Sequence, residues 1–212
     1  MEVFGTIVRF FQNGGLFMYP IVIILAIGLS IAIERYIYLT RSEAGNRKLW
    51  EKLQPLLSNG DYAGAFEVSS KSEAAVGQVL AYGISRMRTS SDRQDVEMSM
   101  EESLLEVTPQ LEKRTHYLAV LANVATLLGL LGTIIGLIQG FTAVANVNPA
   151  EKADLLSASI SVAMNTTAFG LMVAIPLLLL HAVLQTRTTA LVDSIEMASV
   201  KFLNTTRTTE NA

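Results

Sequence analysis

The stretch that decides the fold runs from Thr115 to Ala150 and reads THYLAVLANVATLLGLLGTIIGLIQGFTAVANVNPA, without one Asp, Glu, Lys or Arg. Two further stretches, Phe10–Ile33 and Leu155–Thr186, are also free of these residues. A helix needs about 20 mostly apolar residues to cross about 30 Å of hydrocarbon. The sequence therefore predicts three membrane-spanning helices, at 16–39, 117–141 and 159–183. Three buried core helices of a soluble protein are the alternative, but such helices rarely stay uncharged for this long.

The composition of the whole chain favours a lipid bilayer as its surroundings. Of the 212 residues, 50% are hydrophobic and 17% are charged, whereas soluble domains carry roughly 25% charged residues. There is no cysteine, which excludes disulfides, thiolate metal sites and thiol nucleophiles. The net charge of −3 argues against a nucleic-acid partner, since binding to phosphates needs a concentrated basic face.

The distribution of Lys and Arg predicts the orientation of the chain. The segment Arg41–Arg114 holds ten of the sixteen basic residues, while the loop after the second span has Lys152 alone. Cytoplasmic loops carry the excess of positive charge, so this segment is expected to be cytoplasmic. The prediction is a periplasmic segment at 1–15, a cytoplasmic helical region at 40–116, a short periplasmic loop at 142–158 and a cytoplasmic tail at 184–212.

The cytoplasmic region is predicted to be helical, and we expect the fold to be all-α with long cytoplasmic helical extensions. No alternation of apolar and polar residues indicates a strand. The run Ser58-Asn59-Gly60-Asp61 predicts the end of one helix at Gly60 and a cap for the next at Asp61. Pro109 is expected to kink or restart the helix that leads into the second span.

One face of the second span consists of small and hydroxylated residues. At 100° per residue, seven residues fall within about 80° of Thr126 around the helix. A second ridge, Gly132, Gly136 and Gly140 at four-residue spacing, is typical of helices that approach closely in membranes. The face around Thr126 contains Ala119, Ala122, Asn123, Gly129, Thr133, Gly136 and Gly140.

The third span repeats this design around Thr167, with Ser159, Ala163, Thr166, Gly170 and Ala174 within about 100° on the same side. Hydroxyls in hydrocarbon need a helix or water as partner, so the faces serve either helix packing alone or an ion pathway. For packing we predict Gly129, Gly132, Gly136, Gly140 and Gly170. For an ion pathway we predict Thr133, Thr167, Thr166, Thr126, Ser159 and Ala163.

Two motifs carry a resemblance to a known family. The second span contains Leu128-Gly129-Leu130-Leu131-Gly132-Thr133-Ile134-Ile135-Gly136, and the third contains Asn165-Thr166-Thr167-Ala168-Phe169-Gly170-Leu171 followed by Ala174-Ile175-Pro176. With the three-span layout and the Glu34-Arg35 pair, the chain resembles the MotA/TolQ/ExbB proton channel family, above all its three-span TolQ and ExbB branch. One departure is Val162, where that branch commonly has a glutamate.

The resemblance implies a subunit of an ion-driven motor in the bacterial inner membrane. Family members form a ring, commonly a homopentamer, around single-span helices of a partner similar to ExbD or TolR, whose membrane Asp accepts the ion. Further out a protein similar to TonB or TolA would receive the work, as in TonB-dependent transport. By motif position, Thr133 and Thr167 match the two pore-lining threonines. The transported ion would be H⁺ or Na⁺, and no cofactor is implied.

Enzymatic chemistry is not indicated by any motif. The chain has no phosphate-binding GxxxxGK, no HExxH and no GxSxG. Its two histidines, His116 and His181, lie at opposite membrane ends of different spans, so no metal site is predicted. Two alternatives to the energy-transducing channel remain: a MotA-like motility stator, whose relatives usually have more spans, and a membrane scaffold that holds a partner without conducting ions.

Overall fold

The computed structural model describes residues 14–90, 92–145 and 147–210, with side chains as far as residue 205. Regular structure in these ranges is helical, with no strand, and the predicted all-α fold is confirmed. The described residues form six helices, numbered here in chain order: α1 Met18–Ser58, α2 Tyr62–Ser70, α3 Ala75–Met87, α4 Arg93–Glu112, α5 Thr115–Ala145 and α6 Pro149–Glu210.

Three segments are long and apolar enough to cross a membrane, as the uncharged stretches predict. They are Met18–Ser58, Arg93–Ala145 and Pro149–Thr205, and their apolar parts lie in α1, α5 and α6. The fold is therefore that of a membrane protein with three spanning helices. The limits 16–39, 117–141 and 159–183, and the segments between them, stay predictions; residues 1–13 lie outside the described part of the chain.

The chain divides into two compact units. One, the apolar unit, consists of the described residues of Met1–Ile33 together with Arg114–Val183. The other, the charged unit, consists of the described residues of Glu34–Lys113 and Leu184–Ala212. Because α1 continues past Ile33 and α6 past Val183 without interruption, an unbroken helix joins the two units at each of these points.

The predicted break between the first two helices is confirmed. Gly60 has φ +73°, a left-handed backbone that glycine adopts without the steric cost of a Cβ. Asp61 follows as the N-cap of α2, and its Oδ1 accepts a hydrogen bond from the Gly64 N–H at 2.9 Å. The carboxylate thereby satisfies one of the N–H groups that the first helical turn leaves without a partner.

The prediction that a helix restarts at Pro109 is wrong. Pro109 lies within α4, which continues to Glu112; the break follows at Lys113 and Arg114, where Arg114 has φ +67°. Proline removes one hydrogen bond from a helix, but Val107 and Leu111 on either side of it are buried. Their packing holds the turn around Pro109 in place, so tertiary contacts decide where the helix ends.

Arg35 is the largest fully buried side chain of the described residues, with 2% of its surface exposed. Its guanidinium Nη2 donates a hydrogen bond to the Leu111 carbonyl in the last turn of α4, and its Cζ lies 4.7 Å from the centre of the Tyr38 ring. A cation there is favoured by the partial negative charge at a helix C-terminus and by the carbonyls that have no partner within the helix. Arg35 thus ties α1 to the end of α4 within the charged unit.

We expect the Arg35→Met substitution to destabilise the charged unit by about 1–3 kcal/mol, because a buried carbonyl of Leu111 loses its donor. The measurement is thermal unfolding of the purified protein in detergent. The control is Arg47→Met, which removes an exposed cation paired with Glu51 four residues later and should cost about 0.5 kcal/mol or less. Equal melting temperatures for the two variants would contradict the role of Arg35.

Candidate functional site

Helices α5 and α6 approach closely at two glycines. A Cβ added to Gly170 would lie 2.7 Å from the Ala125 carbonyl oxygen and 3.1 Å from the Gly129 Cα. A Cβ added to Gly129 would lie 3.2 Å from the Thr167 Cα. Real Cβ atoms scarcely ever show the 2.7 Å distance, and the distances of 3.1 and 3.2 Å are shorter than most of their contacts. The two helices therefore touch backbone to backbone, as small residues allow in a membrane.

The ridge of Gly132, Gly136 and Gly140 continues this contact along the pair of helices. Added Cβ atoms would lie 2.5 Å from the Thr166 Cγ2, 3.0 Å from the Ala163 Cβ and 2.6 Å from the Ser159 Cβ, respectively. As the number rises on α5 it falls on α6, so the helices run antiparallel. All five glycines predicted to pack helices lie at this contact.

Two hydroxyls meet where the backbones are close. The Thr133 and Thr167 Oγ1 atoms lie 2.8 Å apart, within one hydrogen bond. Thr167 Oγ1 also lies 2.8 Å from the Gly129 carbonyl oxygen, and Thr133 Oγ1 lies 2.8 Å from the Leu130 carbonyl oxygen. Both threonines are half-buried. Sequence reasoning predicted both for one site, and the structure brings them together within a single chain.

The Thr133–Thr167 pair has more acceptors than protons. Each hydroxyl has one hydrogen, and three short contacts share the two: one between the hydroxyls and one from each hydroxyl to a carbonyl. When one hydroxyl donates to the other, the donor gives up its carbonyl. Either hydroxyl can be the donor, so rotation about two single bonds changes which oxygen presents a lone pair and which presents a hydrogen.

The remaining predicted ion-pathway residues do not join this pair. Thr166 is buried, and its hydroxyl lies 2.5 Å from the Gly14 carbonyl oxygen ahead of α1 and 3.0 Å from the Val162 carbonyl oxygen. Thr126 and Ser159 donate to carbonyls of their own helices, at 3.1 and 2.9 Å. Ala163 is buried beneath Gly136. The contact of Thr166 with Gly14 was not foreseen, because nothing in the local sequence around Gly14 indicates its partner.

The helical stretches around the Thr133–Thr167 pair carry no charged side chain. The stretches 115–150 and 155–186 contain no Asp, Glu, Lys or Arg, and no cluster of His, Asp and Glu able to hold a metal ion exists among the described residues. The two hydroxyls can thus donate and accept hydrogen bonds within stretches of helix that carry no charged side chain.

The motif that holds this site is found in a known family. The sequence model of the MotA/TolQ/ExbB proton channel family matches residues 71–197, which include α5, the paired glycines and both threonines. This chain belongs to that family. The match covers the whole of α5 and the part of α6 that carries Thr167.

Two relatives agree with this family. The chain is 28% identical over 199 residues to a biopolymer transport protein ExbB homolog of Methanothermobacter thermautotrophicus, covering 93% of this chain and 69% of the relative. It is 38% identical over 73 residues to the biopolymer transport protein exbB1 of Vibrio cholerae, covering 34% of this chain and 32% of the relative. The first similarity extends over nearly the whole chain, and the second over about a third of it.

We expect Gly170→Ala to separate α5 from α6, because its Cβ would lie 2.7 Å from a backbone oxygen that no side-chain rotation can move. Overpacking of this kind costs about 1–3 kcal/mol, which thermal unfolding in detergent would measure. The matched control is Gly45→Ala in the helical interior of α1, where the nearest atom lies 4.0 Å away; there alanine should stabilise by up to about 1 kcal/mol. A Gly170→Ala variant as stable as the parent would refute the contact.

Proposed function

We propose that this chain is the ring-forming channel subunit of a motor in the cytoplasmic membrane of a prokaryote, and that it passes protons. In this proposal several copies, five by analogy with the family, surround the membrane helix of a single-span partner similar to ExbD or TolR. Proton passage turns or shifts the partner, which delivers work to the cell envelope, as in TonB-dependent or Tol-like systems. The relatives named for biopolymer transport support this reading.

The Thr133–Thr167 pair is the observation that carries the proposal. Two half-buried hydroxyls share too few hydrogens in a stretch without charge. An aspartate on the partner's helix would supply the titratable group. When that carboxyl is ionised, a threonine can donate to it; when it is protonated, the same threonine can accept from it. The pair thus stabilises both protonation states, which a group that loads and unloads protons requires.

The packing of the glycines supports a fixed position for this pair. Backbone contact at Gly129 and Gly170 leaves α5 and α6 little freedom to separate, so the hydroxyls stay near each other while a partner helix moves past them. Thr166 we assign to holding the chain ahead of α1, on account of its short contact with the Gly14 carbonyl. Sodium is the second candidate ion, because hydroxyl and carbonyl oxygens also suit a hard cation.

The proposed orientation places residues 40–116 and 184–212 in the cytoplasm and the amino terminus outside. Ten of the sixteen basic residues lie between Arg41 and Arg114, and positive charge accumulates on the cytoplasmic side. A non-conducting scaffold is the competing function, favoured by the tightness of the α5–α6 contact alone.

We expect Thr133→Val and Thr167→Val to retain the complex and lose ion-driven activity. Valine keeps the shape and removes the hydroxyl. A hydrogen bond to a charged group contributes about 1.5–3 kcal/mol, so proton flux through reconstituted complexes should fall by about 10-fold or more. The control is Thr142→Val on the same helix, an exposed threonine whose hydroxyl donates to the Ile138 carbonyl; its flux should equal that of the parent.

The assay needs the complete complex, obtained by coexpression with the short, Asp-bearing single-span protein that we expect in a neighbouring reading frame. Flux is measured with a pH-sensitive dye in vesicles, and the complex by its native mass. Full flux in both valine variants of an intact complex would favour the scaffold. If the valine variants lose the flux driven by a sodium gradient and keep the flux driven by a proton gradient, sodium is the ion.

A further inference from the structure

The cytoplasmic extension of α1 has a basic face that this chain does not use. At 100° per residue, its buried residues, which include Leu39, Leu49 and Leu53, are centred about 120° around the helix from Arg41, Lys48 and Lys52. These three side chains, called here the basic stripe, are exposed and within about 40° of one another around the helix. In the part of the chain that the structure describes, none of them forms an ion pair.

The outer side of α4 has the opposite character. Leu105 is 75% exposed and Met98 60% exposed, and both point away from the buried residues of α4, such as Val96 and Met100. Beside Leu105 a groove of about 390 Å³ lies between α4 and α6, lined by Glu97, Glu101 and Glu196 without a basic residue. We call this surface the acidic face: Met98, Leu105, Glu97, Glu101 and Glu196.

Both surfaces are unfavourable in an isolated chain. Leu105 and Met98 expose apolar area that burial would stabilise by roughly 25 cal/mol per Å², and side chains of like charge repel one another across each surface. The described residues of the charged unit offer the acidic face no ion pair at Glu97, Glu101 or Glu196. A surface of opposite charge that also covers Leu105 would relieve both costs.

The two surfaces lie at similar distances along their helices, measured from Ile33 on α1 and from Lys113 at the end of α4. At about 1.5 Å per residue, Arg41 lies about 12 Å along α1 from Ile33, and Leu105 lies about 12 Å along α4 from Lys113. Lys48 lies about 22 Å from Ile33, close to the distance of about 18–24 Å that separates Glu101 and Glu97 from Lys113. Lys48 and Lys52 are four residues apart on α1, as Glu97 and Glu101 are on α4, so two basic side chains can face two acidic ones.

We propose that the basic stripe of one copy docks on the acidic face of the next copy. This interface rests on the proposed ring and deepens it by naming the surfaces that join its subunits outside the hydrocarbon. The two surfaces differ, so the contact is head-to-tail. Membrane insertion restricts the symmetry axis to the membrane normal, and a head-to-tail contact about one such axis closes into a ring.

Cysteine cross-linking tests this interface directly, because the chain has no native cysteine. Two singly substituted chains, Lys48→Cys and Glu101→Cys, carry different tags and are coexpressed with the partner in the full complex. A short bifunctional maleimide should join them into a two-tag dimer, and a chain with both substitutions should give a ladder up to the full ring. Each single variant alone should give no dimer, whereas self-dimers would indicate a two-fold contact.

The matched control keeps Glu101→Cys and replaces Lys48→Cys by Lys71→Cys. Lys71, directly after α2, is also exposed and basic, but it pairs with Glu67 of that helix at 2.6 Å and lowers the pKa of the Glu67 carboxyl. This pair should not cross-link. A ring of full native mass with no Lys48→Cys to Glu101→Cys product would overturn the interface and leave the proposed function standing. A monomeric mass for the unmodified complex would instead overturn the ring itself.

Charge reversal gives an independent readout. Lys48→Glu with Lys52→Glu places acidic side chains against Glu97 and Glu101, and should lower the fraction of full ring at least several-fold at low salt. Adding Glu97→Lys and Glu101→Lys to the same chain restores opposite charges and should restore the ring. The pairing is contradicted if the quadruple variant does not recover the full ring while each double variant remains folded by circular dichroism.

Discussion

The contact between the backbones of α5 and α6 is the constraint on which the rest of the site depends. Gly129 and Gly170 lack the side-chain carbon that would keep the helices apart, so the Gly129 Cα lies 3.1 Å from the position of a Cβ on Gly170. Only at such a separation can the short side chains of Thr133 and Thr167 reach each other at 2.8 Å. Their shared hydrogen bonds therefore follow from the glycines beside them.

In the proposed channel the work is divided between two kinds of group. The chain itself provides neutral hydroxyls that both donate and accept, at no cost of burying a charge in the membrane. In that proposal the group that changes its charge belongs to the partner chain, and its motion relative to the hydroxyls couples proton passage to work. Family membership and the uncharged stretches 115–150 and 155–186 agree with such a division.

The charged unit is held by contacts of another sort. Buried aliphatic side chains line its helices, and the guanidinium of Arg35 joins α1 to the end of α4 at the Leu111 carbonyl. Its outer surfaces carry separate basic and acidic regions.

The amino-acid sequence by itself determined the class of the fold, the three apolar helices and the break at Gly60 and Asp61, because hydropathy, helical periodicity and turn chemistry are local. It also placed Thr133 and Thr167 on small faces of their helices. Tertiary structure decided that these hydroxyls bond to each other, that Thr166 turns to Gly14, and that α4 passes Pro109 and ends beside Arg35. Each of these depends on residues distant in the chain, whose meeting is set by how closely two helices pack.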